Sequence, residues 1–464
     1  MTDPRRWNEA DDGALLVDLY ELTMAQAYCE SGMNDTAVFE LFFRSLPESR
    51  NYLVTCGLEH VLAHLENLRF DDRALDYLAS LAQFTPEFLD WLSRLRFTGD
   101  VYAAPEGTVA FAGEPVLQVV APLVEAQIVE TFVLNQVHYE TLVASKASRV
   151  VTAAGGRTVV DFGMRRTHGS SAAMMAARAG YISGIDATSN VLAGRVFGIP
   201  LAGTMAHSYV QTHDDEEDAF CDFVRLYPET TLLVDTYDTL EGVRKVIDLA
   251  ARMGDEFNVR AVRLDSGDLV ELAAHVRRML DEAGLSRVRI FASGSLDEHR
   301  IAEIVAAGAP VDGFGVGTRL GTSQDAPSLD SAYKLVEYRG EGRMKLSVRK
   351  ATVPWRKQVF RRERAGAPVG DVVGRAGERL PGRPLLVPVM EGGRRLPEGE
   401  FDIELARGRA QSQVESLPAE LRALEEAAAP YPVELSDELE EAQQRISRRF
   451  SWVPGRGPGG AGGR

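Results

Sequence analysis

Acidic residues stand at two places where an apolar segment of the chain ends. LLVDTYD contains Asp235, and VRLDSGD contains Arg263 and Asp265. Neighbouring carboxylates repel each other unless a cation or a polyhydroxyl ligand joins them. An Arg-x-Asp sequence is also a common ion pair between strands, and the Ser-Gly-Asp that follows could cap the next helix. Because two such acidic ends follow one another along the chain, we interpret them as part of a ligand site.

Two later turns combine glycine with a hydroxyl residue after an apolar segment. FASGSLDE contains Gly294 and Ser295, and FGVGTRLG contains Gly317 and Thr318. Glycine lets a ligand approach the backbone closely, and the free N–H groups of such a turn suit a phosphate. A dinucleotide-binding fingerprint is excluded, because the third glycine comes one residue too late and the turn closes a series of units. The two turns therefore predict a phosphate site.

Basic residues follow two other apolar segments. DFGMRRTHG contains Arg165 and Arg166, which are either ordinary surface residues of an arginine-rich chain or a clamp for a polyanion. AGTMAHSYV contains His207. A histidine at a strand end is more often a hydrogen-bonded structural residue, but beside Arg263 and carboxylates it could act as a nucleophile.

The elements that carry these residues alternate as strand, loop and helix from residue 157 onward. The strands are short and continuously apolar, which is typical of parallel strands that helices cover. Polar strand ends recur near residues 161, 186, 204, 235, 265, 293 and 317. Seven such units favour a β/α barrel over a doubly wound sheet of about five strands. Since the carboxyl ends of barrel strands share one face, the candidate residues are predicted to meet there.

The remaining chain is predicted as an α+β layer and a charged C-terminal part. Periodicity indicates a helix from Leu15, a strand over TAVFELFF, further helices up to Arg96 and then short strands. Beyond Gly321, the predicted elements are the strands SLDSAYKLVEY, RMKLSVR and WRKQVFR, the surface helices LPAELRALEEAA and SDELEEAQQRI, and the flexible tail PGRGPGGAGGR.

Composition excludes several classes of protein. The 464 residues carry a net charge of −17, which argues against binding to nucleic acid or to an anionic membrane. The three cysteines are far apart, so they predict neither a zinc site nor a disulfide framework. No signal region and no apolar run of about 18 residues is present, and we therefore expect a cytoplasmic protein.

Taken in order, the motifs resemble one family. DLYELTMAQAY, FFRSLP, DFGMRRTHG, AGTMAHSYV, LLVDTYD, VRLDSGD, SGSLDE and FGVGT are similar to nicotinate phosphoribosyltransferase from about Leu16 to Phe360. The resemblance implies an irregular TIM-like (β/α) barrel with a second α+β domain formed by N-terminal and C-terminal segments. The expected division is 1–145 for the N-terminal α+β domain, 146–335 for the catalytic barrel, 336–450 for a C-terminal segment partly returning to the first domain, and 451–464 for the tail.

The resemblance also implies an activity. Members join nicotinate to 5-phosphoribosyl 1-pyrophosphate, giving nicotinate mononucleotide and pyrophosphate for NAD biosynthesis. ATP is a co-substrate whose hydrolysis is coupled through a phosphohistidine, so the enzyme is formally a ligase, and Mg²⁺ is the cofactor. The expected assembly is a homodimer whose active sites include residues of both subunits.

Roles carry over onto matching positions of this sequence. His207 resembles the phosphorylated histidine, and Asp265 and Asp235 would face the ribose hydroxyls, with Asp265 also on Mg²⁺. The residues implied for nicotinate are Tyr20, Thr204 and Arg263, and those implied for phosphoribosyl pyrophosphate are Arg165, Arg166, Gly294, Ser295, Gly317 and Thr318.

Other functions stay open at this point. Nicotinamide is the harder rival substrate, because the same Arg and Asp positions occur with it, whereas quinolinate would call for a denser basic cluster. A Schiff-base lyase needs a lysine at a strand end, but Lys245, the one lysine between residues 157 and 320, is predicted inside a helix. A non-catalytic barrel that binds phosphoribosyl ligands is the remaining alternative.

Overall fold

The N-terminal part packs helices against antiparallel strands. The computed structural model describes residues 13–346 and 352–450. The predicted strand TAVFELFF is confirmed, since its residues are almost all buried between two neighbouring strands. The elements are α1 (Leu19–Glu30), β1 (Thr36–Phe43), β2 (Leu53–Val54), α2 (Leu58–Asn67), α3 (Asp72–Ser80), α4 (Pro86–Arg94), β3 (Asp100–Ala103), β4 (Val109–Ala110), β5 (Pro115–Pro122), α5 (Leu123–Ile128) and α6 (Glu130–Ala154).

The central part alternates strands and helices, as the sequence predicts. Its strands are short and mostly buried, and Lys245 lies within a helix. The elements are β6 (Thr158–Asp161), α7 (Ser170–Ile182), β7 (Ala187–Thr188), α8 (Val191–Phe197), α9 (His207–Gln211), α10 (Glu216–Leu226), β8 (Thr231–Leu233), α11 (Thr239–Met253), β9 (Ala261–Leu264), α12 (Leu269–Glu282), β10 (Arg289–Ala292), α13 (Glu298–Ala306), β11 (Gly313–Val316) and α14 (Thr318–Gly321).

These six strands form a curled parallel sheet in the order β7-β6-β11-β10-β9-β8. The predicted irregular barrel is confirmed as a curled half-barrel and not as a closed one, because the segment predicted to end near residue 204 forms no strand. Leu201 makes a single bridge to Thr188 of β7, and Thr204 reaches β8 through its side chain, whose hydroxyl donates to the Thr231 carbonyl at 2.5 Å. The segment thus lies between the two edges of a half-barrel without completing its backbone ladder.

The C-terminal part returns to the N-terminal strands. The elements are β12 (Ser331–Tyr338), β13 (Glu341–Gly342), β14 (Lys357–Arg364), β15 (Ala367–Arg375), β16 (Arg383–Pro384), β17 (Val387–Glu391), β18 (Arg394–Arg395), α15 (Ile403–Ser416), α16 (Ala419–Arg422), β19 (Val433–Leu435) and α17 (Asp437–Phe450). A seven-stranded antiparallel sheet has the order β13-β12-β1-β5-β3-β17-β18, and a second sheet has the order β16-β14-β15-β19.

Two of the predicted domain limits fall inside single elements. The limit between residues 145 and 146 lies within α6, and the limit at residue 335 lies within β12. The helix α6 contributes Leu142 to the core of the N-terminal layer and Val143 to the core under the parallel sheet. One helix therefore joins both cores.

Two predictions for the C-terminal part need correction. The helix expected over LPAELRALEEAA is only the four-residue α16, because the Asn51 side chain bonds the backbone beyond it, accepting from Ala427 and donating to Glu425. The part of RMKLSVR that is described forms no strand. The rest of that segment and the predicted tail lie outside the described residues.

Candidate active site

The carboxyl ends of the parallel strands bring the acidic and basic candidates together. We call this region the mouth and define it by Asp161, His207, Asp235, Arg263, Asp265 and Gly294. The strand predicted to end near residue 186 is β7, which ends at Thr188. Asp186 precedes it and accepts a hydrogen bond from the Val159 amide.

His207 is the first residue of α9 and stands between two side chains of the mouth. Its Nδ1 lies 3.2 Å from the Thr236 hydroxyl, and its Nε2 lies 3.9 Å from a carboxylate oxygen of Asp265. The side chain is 40% exposed, so a solute can reach it. Sequence reasoning missed Thr236, although it directly follows Asp235.

The two acidic strand ends are joined by hydrogen bonds. One oxygen of Asp235 accepts from the Asp265 amide at 3.0 Å and from the Ser266 hydroxyl at 2.5 Å. Asp265 accepts from the Ser293 hydroxyl of the next strand end. The second oxygen of Asp235 is buried without a hydrogen-bond partner among the described residues. An acceptor left in this state suits a cation or a hydroxyl of a ligand.

Arg263 is a half-buried cation without an ion pair in the described parts of the chain. Its guanidinium carbon lies 5.9 Å from the centre of the Phe162 ring, and its buried Nε has no partner. Burial lowers the pKa of Arg263 from its ordinary value, Asp265 and Asp235 oppose that shift, and Arg165 adds to it. A guanidinium in this environment can bind a carboxylate through two parallel hydrogen bonds.

The loop after β6 carries the two adjacent arginines. We call residues 163–167 the arginine loop. Arg165 and Arg166 are both exposed, and no acidic residue of the described chain pairs with either. Arg165 is close enough to Arg263 to act on its charge, and this concentration of positive charge at the mouth suits a polyanion.

The two glycine turns differ in the structural role of the glycine. Gly294 has φ +97°, and a Cβ there would lie 1.9 Å from the Asp265 carbonyl oxygen, so the residue also allows two strand ends to touch. Ser295 follows with φ +53°. Gly317 precedes the short helix α14, whose first residue Thr318 is exposed. Both turns leave backbone N–H groups at the edge of the mouth.

A cavity of about 600 Å³ adjoins the first of these turns. Its lining includes Asp265, Ser295 and Arg319, and Arg319 pairs with Asp297. The cavity is polar and large enough for a sugar phosphate.

Tyr20 lines a groove of about 1100 Å³ with Thr131, His168 and Ser170, and none of the residues that define the mouth lines it. Tyr20 itself is 46% exposed. Burial and the nearby Glu130 raise the pKa of Tyr20, which keeps its hydroxyl protonated. No hydrogen bond of the described residues connects Tyr20 with Thr204 or Arg263.

A second cluster of potential metal ligands is buried beneath the N-terminal layer. Cys56, Glu106 and Glu140 place ligand atoms within 4.8 Å of one another. Arg178 stands among them, with one terminal nitrogen 2.6 Å from Glu140 and 3.0 Å from Glu106. The guanidinium supplies the positive charge that a metal would supply, so this cluster does not fit a metal site.

Comparisons with known proteins agree along most of the chain. Residues 15–138 match the nicotinate phosphoribosyltransferase (NAPRTase) N-terminal domain, and residues 158–350 match the nicotinate phosphoribosyltransferase (NAPRTase) family. The chain is 58% identical over 427 residues to nicotinate phosphoribosyltransferase pncB2 of Mycobacterium tuberculosis, covering 92% of each protein. It is 44% identical over 359 residues to the nicotinate phosphoribosyltransferase of Bacillus subtilis, covering 76% of this chain and 73% of that one.

A solved structure supports the same relationship. The crystal structure of human nicotinic acid phosphoribosyltransferase matches with a TM-score of 0.84 and 30% identity, over 92% of this chain and 99% of that one. The curled parallel sheet, with its charged strand ends beside an antiparallel layer, thus defines an enzyme of the mixed α/β phosphoribosyltransferase class. The chain belongs to the nicotinate phosphoribosyltransferase family, and its function is that of a nicotinate phosphoribosyltransferase in NAD biosynthesis.

No helix within residues 13–346 and 352–450 is long and apolar enough to span a bilayer.

Proposed function

We propose that the chain joins nicotinate to 5-phosphoribosyl 1-pyrophosphate at the mouth, and that ATP hydrolysis through a phosphorylated His207 drives the reaction. The observation that carries the proposal is Arg263, a half-buried guanidinium that forms no ion pair with any described residue of the chain. A cation in this state is costly unless an anionic ligand pairs with it. The carboxylate of nicotinate meets that requirement and the amide of nicotinamide does not, so nicotinate is favoured over its rival.

Nicotinate would be held by three residues. Arg263 binds its carboxylate. The hydroxyl of Thr204, which donates to the Thr231 carbonyl, would rotate to donate to the carboxylate of nicotinate. Because Tyr20 lines a separate groove, we assign it to the mouth of a second copy of the chain in a homodimer. Its neighbour Leu19 is also exposed, as expected for a surface that a second copy covers.

The phosphoribosyl group and its leaving group would occupy the basic and glycine-rich edges. Gly294, Ser295, Gly317 and Thr318 offer backbone N–H and hydroxyl groups to the 5′-phosphate. The arginine loop faces the pyrophosphate.

The two carboxylates would act on the sugar. Displacement of pyrophosphate from the ribose C1 builds positive charge on the ring, which Asp235 and Asp265 stabilise across a short distance. Mg²⁺ fits here because Asp235 has an unpartnered buried oxygen and Asp265 lies beside it, and when bound the ion neutralises phosphate charge. The pyridine nitrogen attacks with its own lone pair, so the chain needs no general base for this step.

His207 would couple the reaction to ATP. With Nδ1–H donating to Thr236, the Nε2 lone pair attacks the terminal phosphorus of ATP. The bond from that phosphorus to the ADP oxygen breaks, ADP leaves, and Nε2 carries the phosphoryl group until water removes it as phosphate. In this scheme the enzyme is formally a ligase, and we expect it to work in the cytoplasm.

Product formation tests the proposal. Wild-type protein and His207→Ala are given phosphoribosyl pyrophosphate and Mg²⁺ with nicotinate, nicotinamide or quinolinate, each with and without ATP. We expect nicotinate mononucleotide to form faster with ATP, and that gain to be lost in the variant. Turnover of nicotinamide alone would contradict the role of Arg263, and an unchanged ATP effect in the variant would contradict the role of His207. Binding without any turnover would indicate a non-catalytic barrel.

A further inference from the structure

Asp161 is a buried carboxylate that the proposed reaction does not use. It ends β6, where its backbone pairs with Val316 of β11 on one side and Thr188 of β7 on the other, and it is 5% exposed. One carboxylate oxygen accepts from the Gly163 amide at 2.7 Å. The other accepts from the Thr188 hydroxyl at 2.8 Å. Both oxygens are therefore engaged by the chain itself, which leaves Asp161 poorly placed to bind a ligand directly.

The Gly163 amide that Asp161 holds is the first of the arginine loop. The carbonyl of Gly163 accepts from the backbone amides of Arg166 at 2.9 Å and Thr167 at 3.0 Å, and from the Thr167 hydroxyl at 3.0 Å. These bonds close a tight turn whose orientation depends on the peptide that Asp161 fixes. A Cβ on Gly163 would lie 2.9 Å from the Asp161 carboxylate, so the carboxylate sits directly against the loop backbone.

The far side of the arginine loop packs on the helix that begins at Thr318. A Cβ on Gly321, at the end of α14, would lie 2.4 Å from the Thr167 hydroxyl. The Gly321 carbonyl in turn accepts from the Tyr139 hydroxyl at 2.9 Å. The loop is thus held between Asp161 and α14, which sets the spacing between the two arginines and the Thr318 turn.

We propose that Asp161 is a positioning residue for the arginine loop. Its carboxylate, supported by the Thr188 hydroxyl, fixes the loop backbone so that Arg165 and Arg166 extend toward the pyrophosphate group of the substrate. The inference rests on the proposed function. Both arginines are exposed and lack an acidic partner in the described chain, so their side chains carry no bond that would orient them. The backbone of the loop must therefore supply that order before binding, since a loop that is ordered only on binding costs affinity.

The test measures binding of inorganic pyrophosphate with Mg²⁺ by calorimetry, which needs no turnover. Asp161→Ala removes both acceptors, and we expect binding to weaken by ~10- to 100-fold, as for a displaced binding group. Asp161→Asn keeps an oxygen for Gly163 and an NH₂ group for the Thr188 oxygen, so we expect a change of less than about threefold.

Thr188 offers a matched pair of variants. Thr188→Val keeps the shape and removes the hydroxyl, which donates to Asp161 and accepts from the Asn190 amide at 3.1 Å. A roughly three- to tenfold loss is expected because the hydrogen bond to the charged carboxylate disappears. Thr188→Ser keeps the donor and should bind as the wild type does. If Asp161→Ala does not fold, this pair decides the question.

A third comparison separates positioning from general stability. In a background with Arg165→Ala and Arg166→Ala, adding Asp161→Ala should weaken binding by less than about twofold, because residues that act through one another are not additive. Variants that lower the melting temperature but bind pyrophosphate within twofold of wild type would overturn the proposal. Wild-type protein that binds neither pyrophosphate nor phosphoribosyl pyrophosphate would overturn the proposed function instead.

Discussion

Arg178 and Arg263 differ in whether their positive charge is paired with carboxylates of the described chain. Arg178 is fully buried beneath the N-terminal layer, where its terminal nitrogens pair with Glu106 and Glu140 and its guanidinium lies 4.2 Å from the Phe401 ring. Arg263 is half-buried at the mouth and has no ion pair in the described chain. The Nε of each arginine lacks a hydrogen-bond partner, so the two residues differ in their ion pairs. Removing one partner of a matched buried charge leaves the other charge uncompensated, whereas an unmatched charge at a strand end can pair with a ligand.

The largest expected effect is the loss of stability when the paired arginine, Arg178, is replaced. Arg178→Met should lower the free energy of unfolding by about 3–5 kcal/mol, because two buried carboxylates lose their counter-charge. Urea unfolding of the full chain measures the change. Arg166→Met is the control, and its exposed, unpaired side chain should change stability by no more than about 0.5 kcal/mol. Equal losses in both variants would show that pairing does not distinguish the two regions.

Gly294→Ala should damage the mouth more than the fold. The new Cβ would fall 1.9 Å from the Asp265 carbonyl, so Asp265 must move, and we expect kcat/KM to fall ~100-fold, as for misplaced reacting groups. Gly284→Ala is the matched control, since Gly284 also has a positive φ of +75° but meets nothing within 4 Å. It should show the backbone cost of about 1 kcal/mol without loss of activity. Steady-state kinetics that change alike in both would point to backbone strain alone.

A smaller effect on the free energy of unfolding is expected when the pH is lowered. Burial would raise the pKa of Glu140, but Arg178 and His60 overcome it and lower that pKa to about 2. The pKa of Glu140 is therefore lower in the folded state than in the unfolded state. Its ion pair with Arg178 stabilises the fold above about pH 4.5, and this contribution is lost as the pH falls toward 2.

Urea unfolding at a series of pH values between 6 and 3 measures that loss. Glu140→Gln should be less stable at pH 6 and should lose less stability than wild type as the pH falls. Parallel pH profiles would contradict the assignment, which depends on the buried contacts of Glu140 with Arg178, His60 and Cys56.

Parts of this arrangement follow from the sequence, because neighbouring βα units place their strand ends on one edge. The contact between Asp235 and the Asp265 amide is of this kind, since their strands are consecutive and parallel. The position of Lys245 within α11 follows from helical periodicity alone. Both depend on short sequence patterns that can be recognised without knowledge of tertiary contacts.

Other parts could not be predicted, because they depend on tertiary contacts. The hydrogen bond between His207 and Thr236 joins residues 29 positions apart through side-chain orientation. Asn51 stops the helix expected beyond α16 from a distance of more than 370 residues. That Tyr20 lines a groove without any residue of the mouth also has no signal in the sequence.

The central claim is that the unpaired charge of Arg263 serves to bind a ligand. Its most direct test is the KM of Arg263→Met for nicotinate, measured together with the melting temperature of the same sample. We predict that KM rises by at least ~10-fold, the loss of a charge-assisted hydrogen-bonded pair, while the melting temperature stays that of wild type. A lower melting temperature with an unchanged KM would contradict the account, because Arg263 would then belong with Arg178 among the charges that stabilise the fold.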